Sequence, residues 1–473
     1  MRLVMKFGGT SVGDGQRIKN AAELVHASTS QGHAVVVAVS AMSGVTDALI
    51  RAARRAADGD GQIFLATERA LLDQYLAALD QAVGVAAARA SLYDQIARGL
   101  ASFVDFCRSI HILGELTPRA LDAVASLGER LTAPVFAQAL RERGVQAEAI
   151  EATELIVTDD RFTQASPLMD ATREKTRARL LPLLEAGTIP VVTGFIGATR
   201  DGVTTTLGRG GSDYSATILG NALDVDEVWI WTDVNGVMTA DPRVVPEAQS
   251  IAEISYAEAA ELSYFGAKVI HPQTISPAVE RGTPIRILNT FEPSHPGTYI
   301  VREPRTNSRQ VKAITAIRKL SLITVEGRGM QGVPGIAGRV FSTVAREGIS
   351  VLMISQSSSE QSICFVIEAA TAERACAALE KEFELERLRH NIDLITAQSK
   401  VVIVAIVGAG MKGIPGIAAK VFGALGEHGL SVISIAQGSS EYNLSLVMEE
   451  QDADAAVRAI HAGLNLHVNK EEL

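Results

Sequence analysis

Four segments of the chain combine glycines, hydroxyls and isolated charges in ways that suit the binding of anions. Lys6-Phe7-Gly8-Gly9-Thr10-Ser11 follows the first apolar run and precedes a helical pattern from about Gln16. Adjacent glycines let backbone amides approach an anion, and a lysine at a strand end is a compact positive charge able to follow phosphate oxygens during transfer. The G-x-x-x-x-G-K-[ST] spacing of a P-loop is absent from it, so P-loop chemistry is not supported. Read alone, the segment also fits a plain glycine turn beside a surface lysine.

The second segment, Thr204 to Ser215, sets glycines and hydroxyls before a helix predicted from Ser212 onward. The free N–H groups of that helix start favour an anionic ligand. Arg209 offers a planar fork for a carboxylate or a phosphate. Asp213 either accepts from a donor, stays near a cation, or steadies the helix start electrostatically. Trp231 to Arg243 begins at a strand end and runs through two turn signals, where α/β proteins bind nucleotides. In Phe265 to Pro272, Lys268 is a second candidate phosphate ligand. His271 reads as a structural hydrogen-bonding residue, because Val269-Ile270 before it and Pro272 after it show no general base or metal set.

The elements that must position these residues alternate. Val4 to Phe7, Ala34 to Val39, Ile189 to Phe195, Val228 to Trp231 and Ile285 to Leu288 are short β-rich apolar runs with helical patterns between them. An α/β unit is expected, with a mostly parallel sheet and helices on both faces. Residues 61 to 110 are alanine-rich and periodic, which predicts a helical insertion, and the proline-bearing stretch 291 to 312 is the candidate linker. The 473 residues allow two to four domains. With 47% hydrophobic and 21% charged residues, a disordered or fibrous protein does not fit. A net charge of -10 gives no basic field for nucleic acid or an anionic membrane. Three scattered cysteines fit neither a disulfide framework nor a metal quartet and predict a reducing, cytoplasmic setting. The start of the chain lacks a secretory apolar region and no apolar run is long enough to span a membrane, so a mature soluble chain is expected.

The tail repeats itself. Residues 322 to 368 align without a gap on 403 to 449, and Gly329-Met330-Gln331-Gly332-Val333-Pro334-Gly335-Ile336-Ala337 lies over Gly410-Met411-Lys412-Gly413-Ile414-Pro415-Gly416-Ile417-Ala418. Two copies are too few for a solenoid, so this is a duplicated domain. Each copy reads as strand, glycine-rich turn, helix, strand, strand and helix. The first strands are Leu320 to Val325 and Val401 to Val407, and the second strands start at Ser350 and Ser431. This βαββαβ order resembles the ACT domain, a small amino-acid-sensing unit. The glycine-rich turn is either a tight turn alone or a carboxylate cradle as well.

Taken together, Lys6 to Val12, Ser40 to Thr46, Gly128-Glu129-Arg130, Thr193 to Gly197, Arg209 to Tyr214, Trp231-Thr232-Asp233 and Phe265 to Pro272 resemble, in order, the aspartokinases. With the paired ACT-like repeats the resemblance covers essentially the whole chain. It implies an amino-acid kinase sandwich over residues 1–300, a linker over 301–315, and ACT-like domains over 316–395 and 396–473 that are able to exchange strands. The implied reaction moves the ATP γ-phosphoryl group to the β-carboxylate of L-aspartate, the first step toward lysine, threonine, methionine and isoleucine.

By the same resemblance Lys6, Arg209 and Asp213 are catalytic. Lys6 lies beside the transferring phosphate and Arg209 clamps the substrate α-carboxylate; Asp213 orients the lysine or assists Mg²⁺. Glu129 meets the substrate ammonium, with Ser40, Thr46, Phe195, Gly210, Gly211 and Ser212 around it. Lys6, Phe7, Gly8, Gly9, Thr232, Asp233, Met238, Arg243, Lys268 and Val269 fall at ATP positions, with Mg²⁺ arriving on the nucleotide rather than in a protein cage. Met238 stands where many relatives carry tyrosine, which removes a stacking contact with the base. Effector positions fall on Met330, Val333, Ile336, Ala337, Ser350, Val351, Leu352, Gln356 and Gln437.

Lysine sites of the family place an acid where this chain has Leu352 and Ile433. Gln356 and Gln437 match glutamines of threonine-sensitive relatives, which favours threonine over lysine as effector. Pairing of ACT sheets between subunits implies a homodimer or homotetramer. The second repeat runs almost to Leu473, so a fused homoserine dehydrogenase is not expected. The rival readings are a kinase of glutamate or N-acetylglutamate, against which Glu129 argues, and a non-catalytic amino-acid sensor.

Overall fold

The computed structural model describes residues 1–266, 270–304, 310–357, 360–438 and 442–468. The chain divides into two compact units. Met1–Val237, Ser250–Ala260 and Lys268–Arg305 make the first, and Met238–Gln249, Glu261–Ala267 and Thr306–Leu473 make the second.

In the first unit the strands are β1 (Arg2–Phe7), β2 (Ala34–Val39), β3 (Ala147–Ile150), β4 (Val157–Thr158), β5 (Ile189–Thr193), β6 (Ile196–Thr199), β7 (Thr204–Thr206), β8 (Glu227–Thr232), β9 (Glu253–Ser255), β10 (Ile285–Asn289) and β11 (Thr298–Val301). Eight of them form one sheet in the order β3-β5-β2-β1-β8-β10-β11-β9, parallel throughout except between β10 and β11. β1 and β2 are buried over nearly their whole length. That is why they read as unbroken apolar runs rather than as an alternating pattern. Phe7 stacks on Trp231 at 6.1 Å and meets Phe136 at 5.4 Å, so helix and sheet share one core.

The periodic stretch after residue 60 is the expected helical insertion, Ile63–Ala82 and Ala86–Leu113. It packs tightly on the first helix, Gly15–Ser30. A Cβ on Gly15 would lie 2.2 Å from the Ala78 carbonyl, so only glycine permits that crossing. A second sheet, β4-β6-β7, was not anticipated. Its strands have two to four residues, too few for a period-2 pattern to show in sequence.

The second unit is built on one six-stranded antiparallel sheet. Its strands are β12 (Ala313–Glu326), β13 (Met353–Gln356), β14 (Ser362–Glu368), β15 (Leu394–Val407), β16 (Ser434–Gln437) and β17 (Asn443–Glu449), in the order β13-β14-β12-β15-β17-β16. β12 and β15 each serve both repeats. Residues 320–326 of β12 pair with β14, while residues 313–317 pair with 403–407 of β15. The strand closing the second repeat therefore comes from before the first one. At the joint between the halves Lys319 and Lys400, equivalent in the repeat, both take a left-handed backbone (φ 62° and 59°).

The first repeat closes over Val340, Val344, Phe365 and Leu379, and the second over Val421, Leu425, Leu446 and Ile460. Ala240 and Val245 belong to that second core. Thr239 and His461, both buried, are joined at 2.9 Å between Oγ1 and Nε2. The region expected as linker, 301–315, starts within β11 and ends within β12; Pro304 and the polar residues around it hid these pairings. The second strands of the repeats begin at Met353 and Ser434, three residues later than their sequence suggested. Among the described residues, no helix is long and apolar enough to cross a membrane.

Candidate functional site

The first and second segments and the start of the third meet near the carboxyl ends of adjacent parallel strands. Lys6 sits near the end of β1 and is buried; Gly8 and Gly9 follow it. Ser40 follows β2 and its N–H donates to the Phe7 carbonyl at 3.1 Å. Phe195 follows β5, and Thr232 ends β8. Sheet order thus gathers residues far apart in the chain, as expected of an open α/β sheet.

The helix Gly211–Leu223 points its start into this cluster. Its N-cap is Gly210, which has left-handed backbone, and Asp213 lies in its first turn. A Cβ on Gly211 would come within 2.6 Å of the Phe195 ring, so the close approach of helix and loop requires glycine. Phe195 itself has φ 68°, held by its N–H donating to Ser215 Oγ at 2.9 Å. Ser212 Oγ donates to Ser40 Oγ at 3.2 Å. Asp213 is not the cap: its carboxylate pairs with the Lys6 ammonium.

Two cavities adjoin that pair. One, of about 470 Å³, is lined by Glu129, Phe195, Arg209, Gly210, Gly211 and Ser212, among others. The other, of about 390 Å³, is lined by Gly8, Gly9, Thr10, the turn from Ala41 to Gly44, and Thr232. Lys6, Ser40, Thr46 and Asp213 line both. The first cavity has the character of an amino-acid site. Glu129 is 2% exposed, and its Oε2 has no hydrogen-bond partner. Burial pushes its carboxyl up to about 8, against the pull of the Ala41 amide and the Lys6 charge. An orphaned buried carboxylate oxygen is costly unless a ligand donor meets it. Arg209 is exposed on the wall and has no ion pair among the described residues. The second cavity is a polar cradle of glycines and hydroxyls, with Asp47 and Asp213 on its wall. No cluster of three or more His, Cys, Asp or Glu able to hold a metal occurs among the described residues.

Several predicted residues lie elsewhere. Phe7 is fully buried in the core and its side chain lines neither cavity, because successive strand residues face opposite sides. Asp233 is exposed, accepting from Thr232 Oγ1 at 3.2 Å. Met238 and Arg243 belong to the stretch grouped with the second unit, where Arg243 is held by Asp241. Lys268 and Val269 lie outside the described residues. His271 caps the helix Pro272–Arg281, its Nδ1 accepting from the Gln273 N–H at 3.4 Å. Sequence reading missed Asp122, Thr163 and Arg54 on the first cavity's wall, and took Thr206 only as part of the hydroxyl-bearing segment before the helix. A buried acid in the apolar helix Pro118–Ala125 is the one signal that pointed there.

In the second unit Met330 and Ile336 are core residues, with Ala337 and Val351 packed against them. Val333, Ser350 and Gln356 are exposed, and the Leu352 carbonyl accepts from the Tyr264 hydroxyl at 3.2 Å. The second repeat holds a cavity of about 470 Å³ lined by Met411, Ile414, Ile417, Ala418 and Gln437. The first four are the repeat equivalents of Met330, Val333, Ile336 and Ala337.

Comparison with known proteins agrees with this architecture. The amino acid kinase family model matches residues 1–289, and the ACT domain model matches 323–383 and 404–464. The bifunctional aspartokinase/homoserine dehydrogenase 2 of Arabidopsis thaliana chloroplasts is 38% identical over 468 residues, 98% of this chain and 50% of that one. The chain thus spans about half the length of the bifunctional relatives it matches. Escherichia coli aspartokinase III in complex with aspartate and ADP superposes with a TM-score of 0.83 at 31% identity, over 98% of this chain and 100% of that one. The same enzyme in complex with lysine and aspartate gives 0.79 at 32% identity, over 98% and 99%. The chain belongs to the amino acid kinase family, among the aspartokinases, and its second unit carries ACT domains.

Proposed function

We propose that the chain transfers the γ-phosphoryl group of ATP to the β-carboxylate of L-aspartate, releasing ADP and 4-phospho-L-aspartate. The observation that carries this reading is the meeting of two cavities at the Lys6–Asp213 pair, with Glu129 Oε2 left without a partner in one of them. Aspartate occupies that cavity, its ammonium on Glu129 and its α-carboxylate on Arg209, with Ser40, Thr46 and Ser212 beside it. The triphosphate occupies the glycine cradle of Gly8 and Gly9, near Thr232, with its Mg²⁺ arriving as part of the nucleotide substrate. Asp233, Met238, Arg243, Lys268 and Val269 stand with the nucleotide only by family resemblance.

The chemistry asks little of the protein beyond alignment and charge. The substrate carboxylate is already ionised, so its oxygen attacks the γ-phosphorus without a general base while the bond from the γ-phosphorus to the bridging oxygen of ADP breaks. Negative charge on the transferring group moves between oxygens, and Lys6 is placed to follow it. Asp213 holds the Lys6 ammonium in place. The helix start at Gly211 adds backbone N–H groups to the same region. Release of ADP measured with L-aspartate, L-glutamate and N-acetyl-L-glutamate tests this. Turnover with aspartate alone is expected, since N-acetylglutamate has no ammonium for Glu129 and glutamate carries its side-chain carboxylate one methylene farther from the two anchors. Turnover with N-acetylglutamate in place of aspartate overturns it.

Residues 1–300 form the catalytic domain in this proposal, and 316–395 and 396–473 two ACT modules with an exchanged strand. They sense an end product, threonine in preference to lysine. The support is apolar Leu352 and Ile433 where a lysine ammonium needs an acid, and Gln437 on the wall of the second repeat's cavity. Ile354 and Ile435, equivalent in the repeat and about half exposed on the sheet's edge strands β13 and β16, support a homo-oligomer formed through these modules.

A further inference from the structure

Asp122 is 1% exposed, yet it lies on the wall of the amino-acid cavity. Its carboxylate accepts three hydrogen bonds from inside the protein. Oδ2 accepts the N–H of Thr163 at 2.9 Å and the N–H of Thr206 at 3.0 Å, and Oδ1 accepts the Thr206 hydroxyl at 2.6 Å. These three donors counter only part of the desolvation, and burial still holds the Asp122 carboxyl above its ordinary value. Both of its oxygens are thus already engaged by the protein.

What it does instead follows from the segments it joins. Asp122 belongs to the helix Pro118–Ala125, Thr163 to a loop where it takes φ 71°, and Thr206 to the end of β7. Thr206 is followed by Leu207, Gly208 and Arg209. Gly208 packs against the Thr163 loop so closely that a Cβ there would lie 3.1 Å from the Thr163 carbonyl. The Arg209 side chain itself has no ion pair among the described residues. Its placement thus comes through its backbone, which is fixed on the β7 side by the bonds from Thr206 to Asp122 and by the Leu207 N–H donating to the Phe195 carbonyl at 2.9 Å, and beyond it by the Gly211 N–H donating to the Gly208 carbonyl at 3.0 Å.

We propose that Asp122 is a positioning residue that fixes the Arg209 loop across the cavity and thereby sets the affinity for the substrate's α-carboxylate. This rests on the reading of Arg209 as the carboxylate clamp. A clamp held ready before the substrate arrives saves the entropy of ordering it on binding. The effect belongs in the aspartate KM, with little change in the ATP KM.

The test uses the full chain with Asp122→Ala, Asp122→Asn and Thr206→Val. Asp122→Ala is expected to raise the aspartate KM about tenfold, the scale of one or two lost hydrogen bonds, with the ATP KM within about twofold. Asp122→Asn should recover most of this, because its amide oxygen still accepts both N–H groups. Limited trypsin digestion gives a readout independent of turnover: cleavage after Arg209 should accelerate in Asp122→Ala, while cleavage after Arg54, at the end of a helix, stays constant. An unchanged aspartate KM together with unchanged Arg209 cleavage overturns the proposal. So does an ATP KM that rises as much as that of aspartate, which marks general distortion. If Asp122→Ala does not fold, Thr206→Val decides: a rise of about threefold in the aspartate KM supports the proposal and no rise overturns it. A wild-type chain that does not phosphorylate aspartate sinks the reaction assigned above, and Arg209 cleavage then still decides whether Asp122 holds the loop.

Discussion

Lys6 and Asp213 come from the first strand and from the helix after β7, and their side chains pair where two cavities meet. The pair is nearly dehydrated, with side chains 10% and 16% exposed. A charge in such a place acts more strongly on a neighbouring phosphate than it does in water.

Lys6→Ala is therefore expected to lower kcat about 100-fold or more, the scale of removing one preorganised donor from a developing charge. Turnover measured by ADP release, with the fold checked by circular dichroism, tests this. Unchanged kcat excludes Lys6 from the transfer step.

Glu129 makes the site pH-sensitive. Its carboxyl is raised to about 8 in the empty cavity, first by burial, whereas binding an ammonium calls for the carboxylate. The kcat/KM for aspartate should rise as pH passes through about 8, and Glu129→Gln should flatten that limb while raising KM. Stability moves the opposite way. The folded state holds this proton more tightly than the unfolded chain, so the stabilisation is complete below the unfolded carboxylate value of 4.5 and is lost as pH rises toward 8. The ligand-free Tm should decline over that window in wild type and decline less in Glu129→Gln.

Arg209→Ala should raise the aspartate KM about 10- to 100-fold, the loss expected for a charge-assisted pair in a partly enclosed site. Steady-state kinetics with both substrates varied will separate this from nucleotide binding. An aspartate KM equal to that of wild type counts against the clamp.

Titration calorimetry with each amino acid should show threonine binding, weakened at least about tenfold by Gln437→Ala, which removes a side-chain hydrogen bond from the cavity. Binding of lysine alone would reverse the effector assignment.

The left-handed backbone at Lys319 offers a test of the strand exchange. Lys319→Val should destabilise the second unit by about 1–2 kcal/mol, because a β-branched residue fits that region poorly. Denaturant melts reporting on that unit measure it. No loss of stability would mean that the joint relaxes to an ordinary extended conformation.

The amino-acid sequence by itself settled the parts of this protein that are local. Apolar runs fixed β1, β2, β5, β8 and β10, glycine and hydroxyl clusters marked the turns at their ends, and self-alignment revealed the duplicated tail. Lys6, Arg209 and Asp213 stood out as candidates because each sits in a motif with a chemical reason of its own, whereas Glu129 entered through the family resemblance alone. Only the tertiary structure decided what depends on distance between segments. It paired Lys6 with Asp213, left Glu129 Oε2 without a partner, and turned Phe7 into the core. It also brought Asp122 to Thr163 and Thr206, a staple with no periodic or turn signal in the chain. The exchange of β12 and β15 was open in sequence for the same reason: register and partner choice in a sheet arise from long-range pairing, while a strand's own residues record only that it is a strand.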